Sequence, residues 1–127
     1  EIDQELSKHA KKKINITFTP HLIPTFRGIL STIYLDLSKN ITSNMVYKCL
    51  VNFYQKERFV KILDSKTMVN TNNVVNTNYC NIAVYDNRFK NQIIIASSID
   101  NLVKGAAGQA VQNFNIRYGF AENLSLN

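Results

Sequence analysis

Residues 79–98, YCNIAVYDNRFKNQIIIASS, restrict the fold more than any other stretch of this chain. Two runs rich in Ile, Val, Tyr and Ala flank the polar pair Asp86-Asn87, the pattern of a β-hairpin. The second arm carries Ile93, Ile94 and Ile95 in succession. Neighbouring strand residues point to opposite faces, so such a run needs cover on both faces, or closure by a partner. A second long strand is predicted over ILSTIYLDLS, residues 29–38, rich in β-branched and aromatic residues. INITFTP, residues 14–20, alternates apolar Ile14, Ile16 and Phe18 and reads as a strand ending at Pro20. FVKIL, residues 59–63, reads as a short strand.

Helical spacing marks three other segments. Residues 1–11 repeat Ile2, Leu6 and His9 or Ala10. Thr42 or Ser43 caps a helix running to about Lys56, with Val46, Cys49, Leu50 and Phe53 as its expected buried stripe. Asp100 caps a closing helix whose expected apolar stripe is Val103, Ala106 or Ala107, Ala110, Val111 and Phe114. HLIPTFRG, punctuated by Pro20, Pro24 and Gly28, is a loop. Residues 64–78 are polar and aperiodic, a long loop with an edge strand near Val74. Strands mostly follow strands in this order. The expectation is a single α+β domain over residues 1–127, with a mixed, largely antiparallel sheet and helices on one face.

With 45% hydrophobic and 19% charged residues, the chain folds around a core rather than staying disordered. Its net charge of +6 raises nucleic acid as a partner. The one tight basic run, Lys11-Lys12-Lys13, closes a predicted helix, where cations are favoured, and has no interleaved aromatics to stack on bases. No nucleic-acid role is expected. No apolar run approaches the roughly 20 residues of a membrane span, and EIDQELSKHAKKK is no secretory signal. Cys49 and Cys80 match no zinc or disulfide framework and are expected to be packed, reduced thiols, which fits a cytoplasmic protein. The chain opens at Glu1 inside a predicted helix, and is expected to be one part of something larger.

The segment IDNLVKGAAGQAVQNFN, residues 99–115, is not a phosphate loop. Its Lys104 precedes Gly105 and Gly108, whereas that motif places lysine after the second glycine. The dinucleotide fingerprint G-x-G-x-x-G is absent as well. Each glycine costs about 1 kcal/mol relative to alanine in a helix interior, so close packing or a ligand must offset it. The first helical turn, with Asn101 and Lys104, suits an anionic or amide ligand.

Four segments together carry a resemblance. EIDQEL (1–6), FTPHLIPTFRGIL (18–30), NTNYCNIAV (76–84) and SSIDNLVKGAAGQAVQNFN (97–115) resemble, in order along essentially the whole chain, segments of the N-acetyl-gamma-glutamyl-phosphate reductases of arginine biosynthesis. Two departures affect loops. Arg58 stands where the family often has proline, and Asn76-Thr77 replaces a common Gly-Ser or Gly-Thr pair. The resemblance implies a glyceraldehyde-phosphate-dehydrogenase-like C-terminal domain, lacking the Rossmann domain of the complete enzyme. It implies NADPH-dependent reductive dephosphorylation of an acyl phosphate by a cysteine nucleophile and a histidine acid/base. The family's Pro-Gly-Cys and His-x-His-x-Pro contexts do not occur in these residues, so no catalytic residue is assigned and the chain alone is expected to be inactive. Asn101, Lys104 and Gly105 are implied near the coenzyme, and Arg27, His21 and Asn78 near the substrate. Self-association as a dimer or tetramer is implied too. The alternative is a non-catalytic interaction or oligomerisation module derived from that domain.

Overall fold

The computed structural model describes residues 1–127. Its elements are helix α1 (Ile2–Ala10), strand β1 (Ile29–Asp36), helix α2 (Ser43–Tyr54), strands β2 (Val60–Leu63), β3 (Cys80–Asp86) and β4 (Gln92–Ile99), a π-helical turn (Val103–Ala107) and helix α3 (Gly108–Tyr118). The strands form one sheet in the order β1-β4-β3-β2. The β1–β4 and β3–β4 pairs are antiparallel, and β2–β3 is parallel. The sheet is therefore mixed and largely antiparallel, as expected from the hairpin.

The hairpin explains the isoleucine run. β4 lies between β1 and β3, so both of its edges are hydrogen-bonded. Ile93 is almost fully buried and Ile94 and Ile95 are half-buried. On one face Val69 from the 64–79 loop packs against Ala83 and Ala96, with Leu63 and Tyr85 around them. The Tyr85 hydroxyl fixes that loop by donating to the Thr67 carbonyl at 2.7 Å and accepting from the Val69 N–H at 3.0 Å. Ile93 and Ile99 point to the other face. There α2 packs along β2 and β3, and its first residues share a cavity of about 360 Å³ with Ile93 and the hairpin turn. The π-helical turn lies against the far end of β4 on that same face.

Several expectations need correction. Residues 14–20 form no strand. The alternation is present but the segment pairs with no strand. The backbone instead uses α1: Ile14 N–H donates to Ser7 Oγ at 2.9 Å and Ile16 N–H to Asp3 Oδ1 at 3.2 Å. No edge strand occurs near Val74. That residue is fully buried within turns, where Val74 and Val75 both donate to the Thr71 carbonyl. Thr42 caps α2 as expected, accepting from Met45 N–H. Cys49 and Phe53, however, face solvent, and the half-buried side is Val46, Tyr47, Leu50 and Tyr54. The helix is rotated relative to the expected stripe because it meets only β2 and β3, at one side of the sheet.

The closing helix is inverted relative to expectation. Ala106, Ala107, Ala110, Val111 and Phe114 are exposed, and the buried residues of α3 are Gly108, Gln112 and Asn115. Its inner side is polar because it docks on hydrogen-bonding groups. Asn115 Nδ2 donates to the Glu122 and Leu124 carbonyls, tying the C-terminal tail beneath the helix. The tail in turn receives the Asn78 N–H on the Asn127 carbonyl at 2.7 Å.

Candidate functional site

The sheet register gathers the chemistry at one end. Ile29 pairs with Ile99, Ile99 with Cys80, and Cys80 with Val60. The residues just outside those positions therefore meet: Arg27 and Gly28 before β1, Asp100 and Asn101 after β4, Asn78 before β3, and Phe59 before β2. The π-helical turn then folds Lys104 back over this end.

Asp100 is its electrostatic centre. The residue is fully buried. Its Oδ1 accepts from Leu102 N–H at 2.8 Å and Val103 N–H at 3.1 Å, the cap expected from sequence. Its Oδ2 accepts from Asn76 N–H at 2.6 Å and pairs with Arg27 at 2.5 Å. Burial acts to raise the carboxyl pKa, but the Arg27 bond and three backbone donors outweigh it and hold it at about 2. The Arg27 side chain is 16% exposed and its buried Nε has no partner.

Asn101 locks the approach to β1. Its Oδ1 accepts from Gly28 N–H at 2.7 Å, and its Nδ2 makes no hydrogen bond within the chain. Gly28 adopts φ 109°, and a Cβ there would lie 2.7 Å from Thr71 Cβ, so only glycine fits this turn.

Lys104 is half-buried. Its Nζ donates to Gln112 Oε1 at 2.7 Å and lies 5.6 Å from the centre of the Phe59 ring. Burial pushes its pKa down, opposed by Cys80, Glu122 and Glu57. Burial in turn pushes the Cys80 thiol up, opposed by Lys104, so this cysteine is not an activated nucleophile. Gln112 also accepts from Asn78 Nδ2 at 2.9 Å and donates through Nε2 to Glu122 Oε1 at 2.7 Å.

Of the residues singled out in the sequence, five meet at this end and one does not. Arg27, Asn78, Asn101, Lys104 and Gly105 converge. Asn78 is fully buried, bracing α3 through Gln112, and presents no surface to a ligand in this conformation. Gly105 is exposed, with a would-be Cβ 3.3 Å from Ile99 Cδ1. His21 lies apart, exposed on the irregular segment before β1, with one hydrogen bond to the nearby Thr19 carbonyl at 3.1 Å. The anion site expected at the free first-turn amides is altered, because Asp100 already occupies the N–H groups of Leu102 and Val103. What remains for a ligand is the Asn101 Nδ2 amide and the Lys104 ammonium, two donors suited to an acceptor-rich or anionic molecule.

Sequence reasoning missed Gln112 and Glu122. A signal existed: Lys104, Gly108, Gln112 and Asn115 recur at helical spacing as a small and polar stripe. It was masked by the more apolar stripe on the other side.

The family model described as "Semialdehyde dehydrogenase, dimerisation domain" matches residues 1–101. Among curated proteins, the N-acetyl-gamma-glutamyl-phosphate reductase of Thermoanaerobacter pseudethanolicus is 48% identical over 126 residues, 99% of this chain and 37% of the relative. The protein of that name from Clostridium botulinum (strain Eklund 17B / Type B) is 49% identical over 127 residues, with the same 37% of its own length covered. The chain thus spans little more than a third of these relatives. Among solved structures, aspartate semialdehyde dehydrogenase II from Vibrio cholerae, in complex with ASA, aligns over 77% of this chain and 30% of its own. The TM-score is 0.55 at 16% identity, a likeness of fold alone.

Proposed function

We infer, from the premise that the chain belongs to the semialdehyde dehydrogenase dimerisation-domain family, that its 127 residues form the substrate-binding and dimerisation part of an N-acetyl-gamma-glutamyl-phosphate reductase. The observation that carries this reading is identity of 48–49% to reductases of that name along practically the whole chain. The convergence of Asn101, Lys104 and Gly105 at one end of the sheet supports it. A purely oligomeric module has no need of a half-buried lysine without a carboxylate partner.

In the proposed enzyme an acyl phosphate is reduced to the semialdehyde, and the family resemblance makes NADPH the reductant. The residues at the sheet end fit such a coenzyme in one respect: the Asn101 Nδ2 amide is free to donate and the Lys104 ammonium is directed by a neutral partner. NADPH supplies a hydride when bound. This chain's own part is to bind and orient. Asn101 is proposed to donate to an amide or phosphate acceptor, and Lys104 to face an anionic group. Gly105 leaves room beside Lys104 for the ligand to approach. Arg27 holds Asp100, and through it the start of the turn that carries Lys104, while its remaining N–H groups are available to a substrate anion. His21 is proposed to reach the substrate only when the 13–27 segment is held by the rest of the enzyme. Asn78 supports the site from beneath. The nucleophile and the acid/base are assigned to residues outside these 127, since Cys80 has a raised pKa and neither Pro-Gly-Cys nor His-x-His-x-Pro occurs here. No helix is long and apolar enough to cross a membrane, and a cytoplasmic location is proposed.

The test is a coupled reductase assay on two proteins: the isolated chain, and the chain joined to a coenzyme-binding domain carrying the missing motifs. The isolated chain is expected to show no turnover of N-acetylglutamyl phosphate and little or no NADPH binding, and the joined protein to turn over. Activity of the isolated chain that disappeared in Cys49→Ser or Cys80→Ser would overturn the assignment.

A further inference from the structure

Two carboxylates act on Lys104, yet it pairs with neither. Glu122 and Glu57 both act on its titration, but neither comes within ion-pair distance, and the ammonium instead donates to the neutral Gln112 amide at 2.7 Å. The carboxylate that acts on it more strongly, Glu122, is diverted. Glu122 Oε1 is engaged by Gln112 Nε2, also at 2.7 Å. The amide cannot turn over, because its Oε1 receives two donors, Lys104 Nζ and Asn78 Nδ2, and its NH₂ faces a carboxylate. Gln112 is itself 6% exposed, one α-helical turn beyond Gly108. Gly108 lacks a Cβ where the Asn78 carboxamide presses against the helix, which keeps Asn78 and Gln112 in contact.

We propose that Gln112 is the positioning residue for Lys104: a neutral acceptor that fixes the direction of the ammonium while standing between it and Glu122, so that its positive charge stays available to an anionic ligand. A carboxylate at position 112 would fix the lysine equally well but neutralise it. An apolar residue would release it towards Glu122. Either change acts on the ligand through Lys104 and not by contact. This rests on the reading of Lys104 as a ligand-facing residue.

The experiment is a double-mutant cycle in the full-length reductase containing these residues, with kcat and KM for N-acetylglutamyl phosphate and for NADPH, and Tm recorded alongside. Gln112→Leu is expected to raise one KM about tenfold in the Lys104 background, the scale of one hydrogen bond to a charged group. In the Lys104→Met background the same change should have less than about a twofold effect, because the group it acts through is gone. Should Gln112→Leu not fold, the exchange Gln112→Glu with Glu122→Gln retains a hydrogen bond between the two positions and an acceptor for Lys104. That exchange should raise the same KM while leaving Tm within a few degrees. Additive effects of Gln112→Leu and Lys104→Met, or a kinetically silent exchange, would overturn the proposal. A kinetically silent Lys104→Met would instead remove the reading on which it rests, a pattern distinguishable from the first two.

Discussion

The buried Arg27–Asp100 pair shows how far single residues could be read. Asp100 was legible as a helix cap, because a cap needs only the next few residues. Its second role was not, since Arg27 is brought to it by the β1–β4 register and lies 73 positions earlier, a placement fixed by pairing rather than local pattern. The same contact explains a departure from the resembled family. Asn76 has φ 62°, a left-handed conformation that glycine adopts freely and asparagine tolerates, and its N–H completes the Asp100 shell. The consequence is a pH dependence with a definite sign. The Asp100 carboxyl titrates at about 2 in the folded chain, below its ordinary value near 3.9 when unfolded. Its contribution to stability is complete above about pH 4 and is lost as pH falls through about 2. Urea midpoints measured from pH 6 to 2 should fall steeply in this window. In Asp100→Asn the midpoint should already be low at pH 6, with a shallower fall below. An unchanged slope in the variant would assign the acid sensitivity to other carboxylates.

Among the elements, the hairpin and β1 were legible because strand alternation, β-branching and turn residues agreed. The strand forecast over 14–20 failed because alternation specifies a face but not a partner. The closing helix failed in a more informative way. The pattern predicts its existence and cap but an apolar inner face, whereas that face is Gly108, Gln112 and Asn115. Periodicity finds the greasier side of a helix. It cannot say whether this chain, or something beyond it, covers that side. The segment also begins as a π-helical turn, with Gly105 N–H donating to the Asp100 carbonyl and Ala107 N–H to the Leu102 carbonyl. Such turns recur at functional sites. The extra residue brings the Val103 carbonyl beneath Gly108, so that a Cβ there would lie 2.8 Å from it and 2.7 Å from Val103 Cγ1. Gly108→Ala should therefore destabilise by about 1–3 kcal/mol, despite alanine's better helix propensity, because overpacking outweighs it. At Gly105 an added Cβ meets no atom closer than Ile99 Cδ1 at 3.3 Å, the end of a flexible side chain, and Gly105→Ala should be close to neutral. Chemical denaturation of both variants checks the order, and equal effects would mean that the close approach at Gly108 does not constrain the helix.

At the scale of the whole molecule, the fold buries too little of its own apolar surface to be its own final state. Only 14 of 127 residues are buried, and β1 exposes Ile29, Ile33 and Leu35 on one face and Leu30 and Tyr34 on the other. β1 is also an edge strand, eight residues long, with Asp36 as its single charge and no proline. Edges of that kind are usually blunted by charge, proline or a bulge, and an unprotected one favours association. The family description as a dimerisation domain agrees with this surface. β1 is therefore expected to lie in the interface between copies, with the face of Ile29, Ile33 and Leu35, beside the half-buried Ile95 of β4, as the apolar area removed from water. At roughly tens of micromolar, the range in which interfaces of ordinary affinity are populated, sedimentation should find an oligomer. Ile33→Lys should shift it towards monomer, because a buried lysine without a partner strongly disfavours the assembly. Ile33 is 45% exposed in the single chain, so the substitution should leave the monomer's circular dichroism unchanged. A stable monomer from the unsubstituted chain at that concentration would count against association through the sheet. An oligomer indifferent to Ile33→Lys would move the interface to the remaining exposed apolar surface, either the segment bearing Phe18, Leu22 and Phe26 or the outward side of α3.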